Sequence, residues 1–241
     1  MSGHQRSPDI FVSMPHPCSY LPGRTATTLF IDPRFPLNDE HYASFMRLGF
    51  RRSGDLIYRP HCAECNACVP VRIPVARFAS NRAQRRVWRK NRDLQIIAKP
   101  AVYVQEHFDL YVRYQSERHA GGGMDDADAQ KYLNFLIGRR IDTTFYEMRA
   151  ADRLLGVAVV DRLSDGLSAV YTFYDPLEQA RSLGTFAILW EVQHARALGL
   201  PWLYLGYWIA QSQKMSYKTN FHPLEAYRNG HWADLEPSGT D

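Results

Sequence analysis

The chain has 241 residues, 45% of them hydrophobic, so it can bury a substantial core in one large or two small domains. Its formal net charge of +4 is only mildly basic and identifies no partner by itself. The first 14 residues are polar and interrupted by Pro8, unlike a secretory signal. No apolar run approaches the roughly 18 residues that a membrane-spanning helix needs. We therefore expect a cytoplasmic protein with no membrane partner.

The first third of the chain is rich in turn residues. Short strand-like pieces such as Thr27 to Ile31 alternate with turns that contain proline or glycine. One clear helix is predicted here, beginning near Asn38 or Asp39. It should end at Gly49, because glycine readily takes the left-handed conformation that closes a helix. We expect this helix to be scaffold.

Four cysteines also lie in the first third. Cys62, Cys65 and Cys68 are spaced by two residues, and Cys18 can join them. Cytosolic thiols are kept reduced, which argues against a disulfide framework. The spacing allows the thiolates to converge on one soft metal centre, zinc or an iron-sulfur cluster. The same residues can instead be small, partly buried apolar side chains, because zinc sites usually show two separated pairs.

A short, strongly basic helix is predicted between Ser80 and Asp93. Its arginines recur at i, i+3, i+4 and i+7, which places four guanidinium groups on one face with a lysine at its flank. These residues are Arg82, Arg85, Arg86, Arg89 and Lys90. Like charges at this spacing repel, and guanidinium groups match phosphate oxygens, so the pattern favours a polyanionic partner such as RNA. A solvated basic surface without a partner is the alternative.

From about residue 100 the pattern changes to longer periodic elements. The predicted order is two helices (104–117 and 128–137), three strands (143–148, 154–163 and 168–174), a helix (183–198) and two strands (201–208 and 224–228). This order is typical of acetyltransferase-like acyltransferases. We expect an α+β protein with a small cysteine-containing domain at 1–98, which includes the basic helix, and a GNAT-like mixed-sheet domain at 99–241.

Two segments of the second half carry candidate site residues. A strand that ends at Tyr174 and Asp175 leads through Arg181 and Gly184 into a helix, and free amides at a helix start can hold a phosphate. The pattern Arg-x-x-Gly also fits an ordinary helix-capping loop. Aromatic and cationic side chains follow the strand 201–208, where α/β enzymes tend to place binding loops. They include Lys214, Tyr217 and Lys218.

Several short motifs together resemble one known family. They are Cys18-Ser19-Tyr20-Leu21-Pro22-Gly23-Arg24, Tyr58-Arg59-Pro60-His61-Cys62, Cys68-Val69-Pro70-Val71-Arg72, Phe173-Tyr174-Asp175-Pro176, Ser182-Leu183-Gly184, Leu205-Gly206-Tyr207-Trp208-Ile209 and Lys214-Met215-Ser216-Tyr217-Lys218. The sequence resembles the arginyl-tRNA-protein transferases, and its size and cysteine spacing resemble their bacterial aspartate/glutamate leucyltransferase branch.

The resemblance implies a reaction and its partners. Leucine would pass from leucyl-tRNA to the α-amine of proteins with N-terminal Asp or Glu, which tags them for N-degron proteolysis. The charged tRNA is a co-substrate, and the reaction requires no further cofactor. Three alternatives remain at this point: arginine transfer from arginyl-tRNA, an N-acetyltransferase that uses acetyl-CoA, and an RNA-binding zinc module without transferase activity.

The chemistry of such a transfer suggests roles for the candidate residues. An amine must lose a proton, an oxyanion must be stabilised and a ribose hydroxyl must regain a proton. We expect Tyr174 and Asp175 to be catalytic. The expected tRNA-binding residues are Arg82, Arg85, Arg86, Arg89, Lys90, Arg181 and Gly184. An acidic acceptor calls for cations, so the expected acceptor-peptide residues are Arg24, Lys214, Tyr217 and Lys218, with plain surface charge as the alternative for the three cations.

Overall fold

The structure, a computed structural model, describes residues 7–118 and 128–236. The helices are α1 (Asp39–Arg47), α2 (Arg82–Lys90), α3 (Gln105–Arg118), α4 (Ala129–Leu136) and α5 (Leu183–Ala197), with 3-10 helices at Pro176–Arg181 and Gln213–Asn220. The strands are β1 (Ile10–Val12), β2 (His16–Pro17), β3 (Thr25–Ala26), β4 (Thr28–Ile31), β5 (Arg51–Ser53), β6 (Leu56–Pro60), β7 (Val69–Pro74), β8 (Leu94–Pro100), β9 (Thr143–Ala150), β10 (Arg153–Arg162), β11 (Gly166–Tyr174), β12 (Trp202–Trp208), β13 (Glu225–Arg228) and β14 (His231–Asp234).

An eight-stranded mixed sheet dominates the fold, in the order β14-β13-β7-β12-β11-β10-β9-β8. Different helices pack on its two faces. Successive side chains of a strand point to opposite faces, so each strand contributes to both cores. Ala158 and Val160 of β10 join the core that includes α5, whereas Val157 and Val159 join the core that includes α3 and α4. The expected α+β, acetyltransferase-like mixed sheet is confirmed.

A second sheet, β1-β4-β6-β5, packs with α1 around a smaller core. The side chain of Asn38 caps α1 by accepting a hydrogen bond from the amide of His41, and Gly49 follows the helix with φ of +81°. The prediction of this helix and of its glycine stop is confirmed. A two-stranded sheet of β2 and β3 completes the first third.

Two strands of the large sheet begin before residue 98, and the second of them, β8, extends past it. β7 lies between β12 and β13, and β8 pairs with β9 at the edge. Strands from both sides of residue 98 therefore pair within one sheet. The division into two domains at that residue stays a prediction. Among the residues described, the helices are all too short or too polar to cross a membrane.

Candidate functional site

A cleft opens in the large sheet where its parallel strand pair diverges. Along the described chain, β11 and β12 pair only over Gly166–Ser168 and Trp202–Tyr204. Beyond these residues β11 continues along β10, whereas β12 continues along β7. We call the space between 169–174 and 205–208 the cleft. Backbone groups that face it lack a partner strand and can serve substrates or inserted side chains.

Arg51 of β5 reaches into the base of this cleft. Its guanidinium donates hydrogen bonds to Ser168 Oγ (3.0 Å) and to the carbonyl oxygen of Ala169 (2.8 Å), where the strands separate. Gly206 faces it from β12 with φ of +82°, and a Cβ at this position would lie 3.1 Å from Arg51 Nε. Glycine at 206 thus accommodates both the backbone conformation and the guanidinium.

Lys218 approaches the cleft from the 3-10 helix that packs on β12. Its Nζ donates to the carbonyl oxygen of Tyr207 at 2.5 Å and lies 3.6 Å from Met215 Sδ. The side chain of Lys218 is buried, and burial together with the charge of Arg51 lowers its pKa to about 7.

Glu191 of α5 is a second buried ionisable group near Arg51. It has no exposed surface, and neither of its carboxylate oxygens has a hydrogen-bond partner within the described residues. Burial raises the pKa of its carboxyl to about 8, and the positive charge of Arg51 acts in the opposite direction. At neutral pH the amine of Lys218 is therefore about half neutral, and the carboxyl of Glu191 is mostly protonated.

Tyr174 and Asp175 end the β11 side of the cleft. Tyr174 contacts the ring of Tyr114 at 5.0 Å, and a Cβ on Gly184 would lie 3.3 Å from its ring. Asp175 Oδ1 accepts a hydrogen bond from the amide of Leu177, which caps the 3-10 helix. Asp175 also borders an open groove of about 410 Å³ beside α3. The structure thus brings Tyr174 to the start of α5, and the catalytic roles of both residues stay predictions.

The predicted basic helix is α2, and its cationic face is exposed. Asn81 and Gln84 form a capping box at its start. Trp88, on the opposite side, packs on Phe186 of α5 with ring centroids 5.4 Å apart. The residues of the exposed face are Arg82, Arg85, Arg86, Arg89 and Lys90.

Two side chains hold α2 against the segments that flank the cleft. Gln84 donates to the carbonyl of Asn220, at the end of the 3-10 helix that carries Lys218. Asn91, just after α2, donates to the carbonyl of Arg181, next to the start of α5. Arg181 itself forms ion pairs with Asp93 and Glu178, which occupy much of its guanidinium. The structure therefore brings together three of the segments that the sequence singled out.

The four cysteines lie near one another, and Cys68 lies near Tyr207 of the cleft. Burial and the neighbouring thiols of Cys18, Cys62 and Cys65 raise the pKa of Cys68 to about 11. Cys62 and Cys65 face each other across a single β-bridge. Among residues 7–118 and 128–236, groups of three or more His, Cys, Asp or Glu with metal-binding geometry are absent. Four cysteine thiols are the donors that a thiophilic metal prefers, so the residue types suit such a site although their arrangement does not form one, and the metal site stays a prediction.

The remaining predicted residues are dispersed. Arg24 is exposed on the turn between β2 and β3, and Lys214 and Tyr217 are exposed on the 3-10 helix. Sequence reasoning missed Arg51 and Glu191. A signal existed for Glu191, because it interrupts the apolar stripe of α5 formed with Ala187 and Ala195 at spacings of four.

Comparisons with known proteins agree on one family. The family model described as "Arginine-tRNA-protein transferase, N terminus" matches residues 16–86, and the corresponding C-terminal model matches residues 106–228. The aspartate/glutamate leucyltransferase of Nitrosococcus oceani is 53% identical, covering 95% of this chain and 96% of that protein. The protein of the same name from Pseudomonas fluorescens is 51% identical, covering 93% and 96%, and that from Marinobacter nauticus 49%, covering 93% and 95%.

A solved structure, that of L-PGS from Bacillus licheniformis, aligns with a TM-score of 0.45 and 12% identity over 77% of this chain and 64% of that one. The large mixed sheet, with helices packed on both of its faces, defines the class as an acetyltransferase-like α+β protein. The sequence matches go further. The chain belongs to the arginine-tRNA-protein transferase family, in its aspartate/glutamate leucyltransferase branch.

Proposed function

We propose that this protein transfers leucine from leucyl-tRNA to the α-amine of proteins that begin with Asp or Glu. Two relatives that are 53% and 51% identical are named aspartate/glutamate leucyltransferase. The observation that carries the proposal is the anchoring of α2, whose exposed arginines stand beside both segments that flank the cleft. If the phosphates of leucyl-tRNA bind along α2, the aminoacylated end of the tRNA would lie towards the start of α5.

The cleft would hold the reacting groups. Amides at the start of α5, near Gly184, offer hydrogen bonds to a phosphate or a developing oxyanion. Tyr174 lies against this helix start and can orient the acceptor amine. Asp175, which borders the groove beside α3, can help to orient or deprotonate that amine. Arg24, Lys214 and Tyr217 supply exposed cationic and aromatic groups for an acidic acceptor peptide. Much of the rate of such a reaction would come from positioning.

The direct test is a transfer assay. Purified protein is incubated with radiolabelled leucyl-tRNA or arginyl-tRNA and with peptides that begin with Asp, Glu, Lys or Ala. Label from leucine should appear only in the Asp and Glu peptides. Arginine transfer would keep the family and change the donor, whereas no transfer from either tRNA would contradict the proposal. In cells that express the enzyme, faster degradation of reporter proteins that begin with Asp or Glu would link the enzyme to cytoplasmic N-degron proteolysis.

We also propose that Cys18, Cys62, Cys65 and Cys68 hold a thiophilic metal, zinc or an iron-sulfur cluster. Such a metal would lower the thiol pKa values and join the β2–β3 turn to the segment before β7. Metal analysis of protein purified without air should give about one metal centre per chain, and Cys65→Ser should lose it. Protein that is folded and metal-free under these conditions would contradict the proposal.

A further inference from the structure

The position of Lys218 is not explained by binding at a surface. Its Nζ is buried against β12, where the carbonyl of Tyr207 belongs to the half of the strand that lines the cleft. The nearby guanidinium of Arg51 bonds to Ser168 and Ala169 on the opposite wall. The amine is therefore buried beside Tyr207 of the cleft and within reach of the charge of Arg51, whereas Lys214 and Tyr217 of the same 3-10 helix are exposed.

We propose that Lys218 is the proton-transfer residue of the reaction, and this inference rests on the proposed leucyl transfer. The neutral acceptor amine attacks the ester carbonyl, so that a C–N bond forms and an electron pair moves to the carbonyl oxygen. Nζ takes the proton that the attacking nitrogen must lose. The electron pair on the carbonyl oxygen then re-forms the C=O bond as the ester C–O bond breaks, the electron pair of that bond stays on the ribose oxygen, and Nζ returns the proton there.

The surroundings of Lys218 keep its amine ready for this role. Arg51 approaches from β5, Tyr207 from β12 and Tyr217 from its own segment, with Nζ 5.8 Å from the Tyr217 ring. Burial and the positive charge of Arg51 both disfavour an ammonium. A base of pKa about 7 is half neutral at physiological pH and close to the optimum for proton transfer. A neutral amine that donates a hydrogen bond to the Tyr207 carbonyl still keeps its lone pair for accepting a proton.

The test compares Lys218→Gln with the unchanged protein over pH 5.5 to 9. Glutamine can still donate to the Tyr207 carbonyl but cannot accept the proton, so its transfer rate should fall about 100-fold or more. At limiting acceptor peptide, both Lys218 and the acceptor amine must lose a proton. The logarithm of the wild-type rate should therefore rise with pH at a slope near 2 below pH 7, and that of Lys218→Gln at a slope near 1.

Two further measurements separate a chemical role from a structural one. Added propylamine should restore transfer to Lys218→Ala in proportion to its free-base concentration, and should not stimulate Lys131→Met, an exposed lysine on α4. The thermal midpoint of Lys218→Gln at pH 7 should not fall below that of the wild type, because the variant no longer buries an ionisable amine. A variant within threefold of wild type, or one slowed equally at every pH with a slope of 2, would overturn the role of Lys218. Wild-type protein that transfers no leucine would instead overturn the proposed function.

Discussion

At the scale of single residues, Glu191 and Lys218 lie near Arg51 with pKa values shifted in opposite directions. Burial disfavours the charged form of each group, so the carboxyl of Glu191 is raised to about 8 and the amine of Lys218 is lowered to about 7. Near neutral pH the folded protein therefore carries less charge on Glu191 and Lys218 than a solvent-exposed glutamate and lysine would carry. Each buried group also makes the stability of the fold depend on pH.

Glu191→Gln should reduce this dependence. Folded Glu191 keeps its proton up to about pH 8, whereas an unfolded carboxyl loses it near 4.5, so its contribution to stability falls as pH rises between these values. Relative to wild type, Glu191→Gln should gain a few kcal/mol in free energy of unfolding between pH 5 and pH 9, because one pKa unit corresponds to about 1.4 kcal/mol. Urea unfolding at several pH values measures this gain.

The matched control is Glu236→Gln, which changes an exposed glutamate and should leave the curve parallel to that of wild type. Parallel curves for Glu191→Gln would show instead that Glu191 ionises normally in the folded protein. Lys218 has the opposite effect at higher pH. Its contribution to the free energy of unfolding rises between about pH 7, the pKa of the folded amine, and pH 10.5, the pKa of the unfolded amine. Comparing each variant with wild type at the same pH separates the two groups.

Residues of the site differ in how far the sequence could reveal them. Tyr174 ends a recognisable strand and Lys218 lies in a segment that follows one, so the sequence could place them near a site. Arg51 could not be found in this way, because its partner Ser168 lies 117 positions further along the chain. Only the pairing of strands from distant parts of the chain shows which arginine enters the cleft.

At the scale of elements, α2 owes its place to residues that local patterns reveal only in part. The capping box and the arginine spacing are readable from the sequence. The contacts of Gln84 with Asn220 and of Asn91 with Arg181 are not, because they join segments 136 and 90 positions apart. These contacts direct the cationic face outward beside the cleft.

Reversing charge on α2 should weaken tRNA binding. Arg86→Glu/Arg89→Glu removes two exposed guanidinium groups from the face while leaving Gln84 and Asn91 in place. We expect affinity for leucyl-tRNA to fall at least tenfold, and the salt dependence of log K to lose about 0.7 to 0.9 per phosphate contact removed. Filter binding at several salt concentrations measures both quantities.

The control for α2 is Lys99→Glu/Lys131→Glu, which makes the same change in net charge at exposed positions on β8 and α4. It should weaken binding much less, because α4 belongs to the opposite face of the large sheet from α2. Equal losses for the two double variants would mean that overall charge, rather than the α2 face, attracts the tRNA.

The strands of the second half were predicted because β9, β10 and β11 are long and apolar. In contrast, β7 escaped prediction because Pro70 and Pro74 mark turns or edges in most sequences. Its place between β12 and β13 depends on pairing with residues that follow more than 120 positions later. Local propensity contains no information on such a partner.

At the scale of the whole molecule, a buried ion pair joins the two larger sheets. Arg52 of β5 donates two hydrogen bonds of 2.6 Å to Asp161 of β10, and both side chains are almost fully buried. Asp161 also accepts from Tyr42 of α1 and from Thr143 of β9. Arg51 is the residue before Arg52 in β5, so the Arg52–Asp161 ion pair also helps to fix the strand that places Arg51 in the cleft.

Asp161→Asn should therefore lower the free energy of unfolding by about 3 to 5 kcal/mol, because it leaves the guanidinium of Arg52 buried without a counter-charge. Asp234→Asn is the matched control: it breaks the exposed ion pair with Arg77 and should cost at most about 1 kcal/mol. Replacing both buried partners, as Arg52→Met/Asp161→Leu, should recover part of the loss. Urea unfolding of the four proteins measures these differences, and equal losses for the two single variants would show that the ion pair does not hold the sheets together.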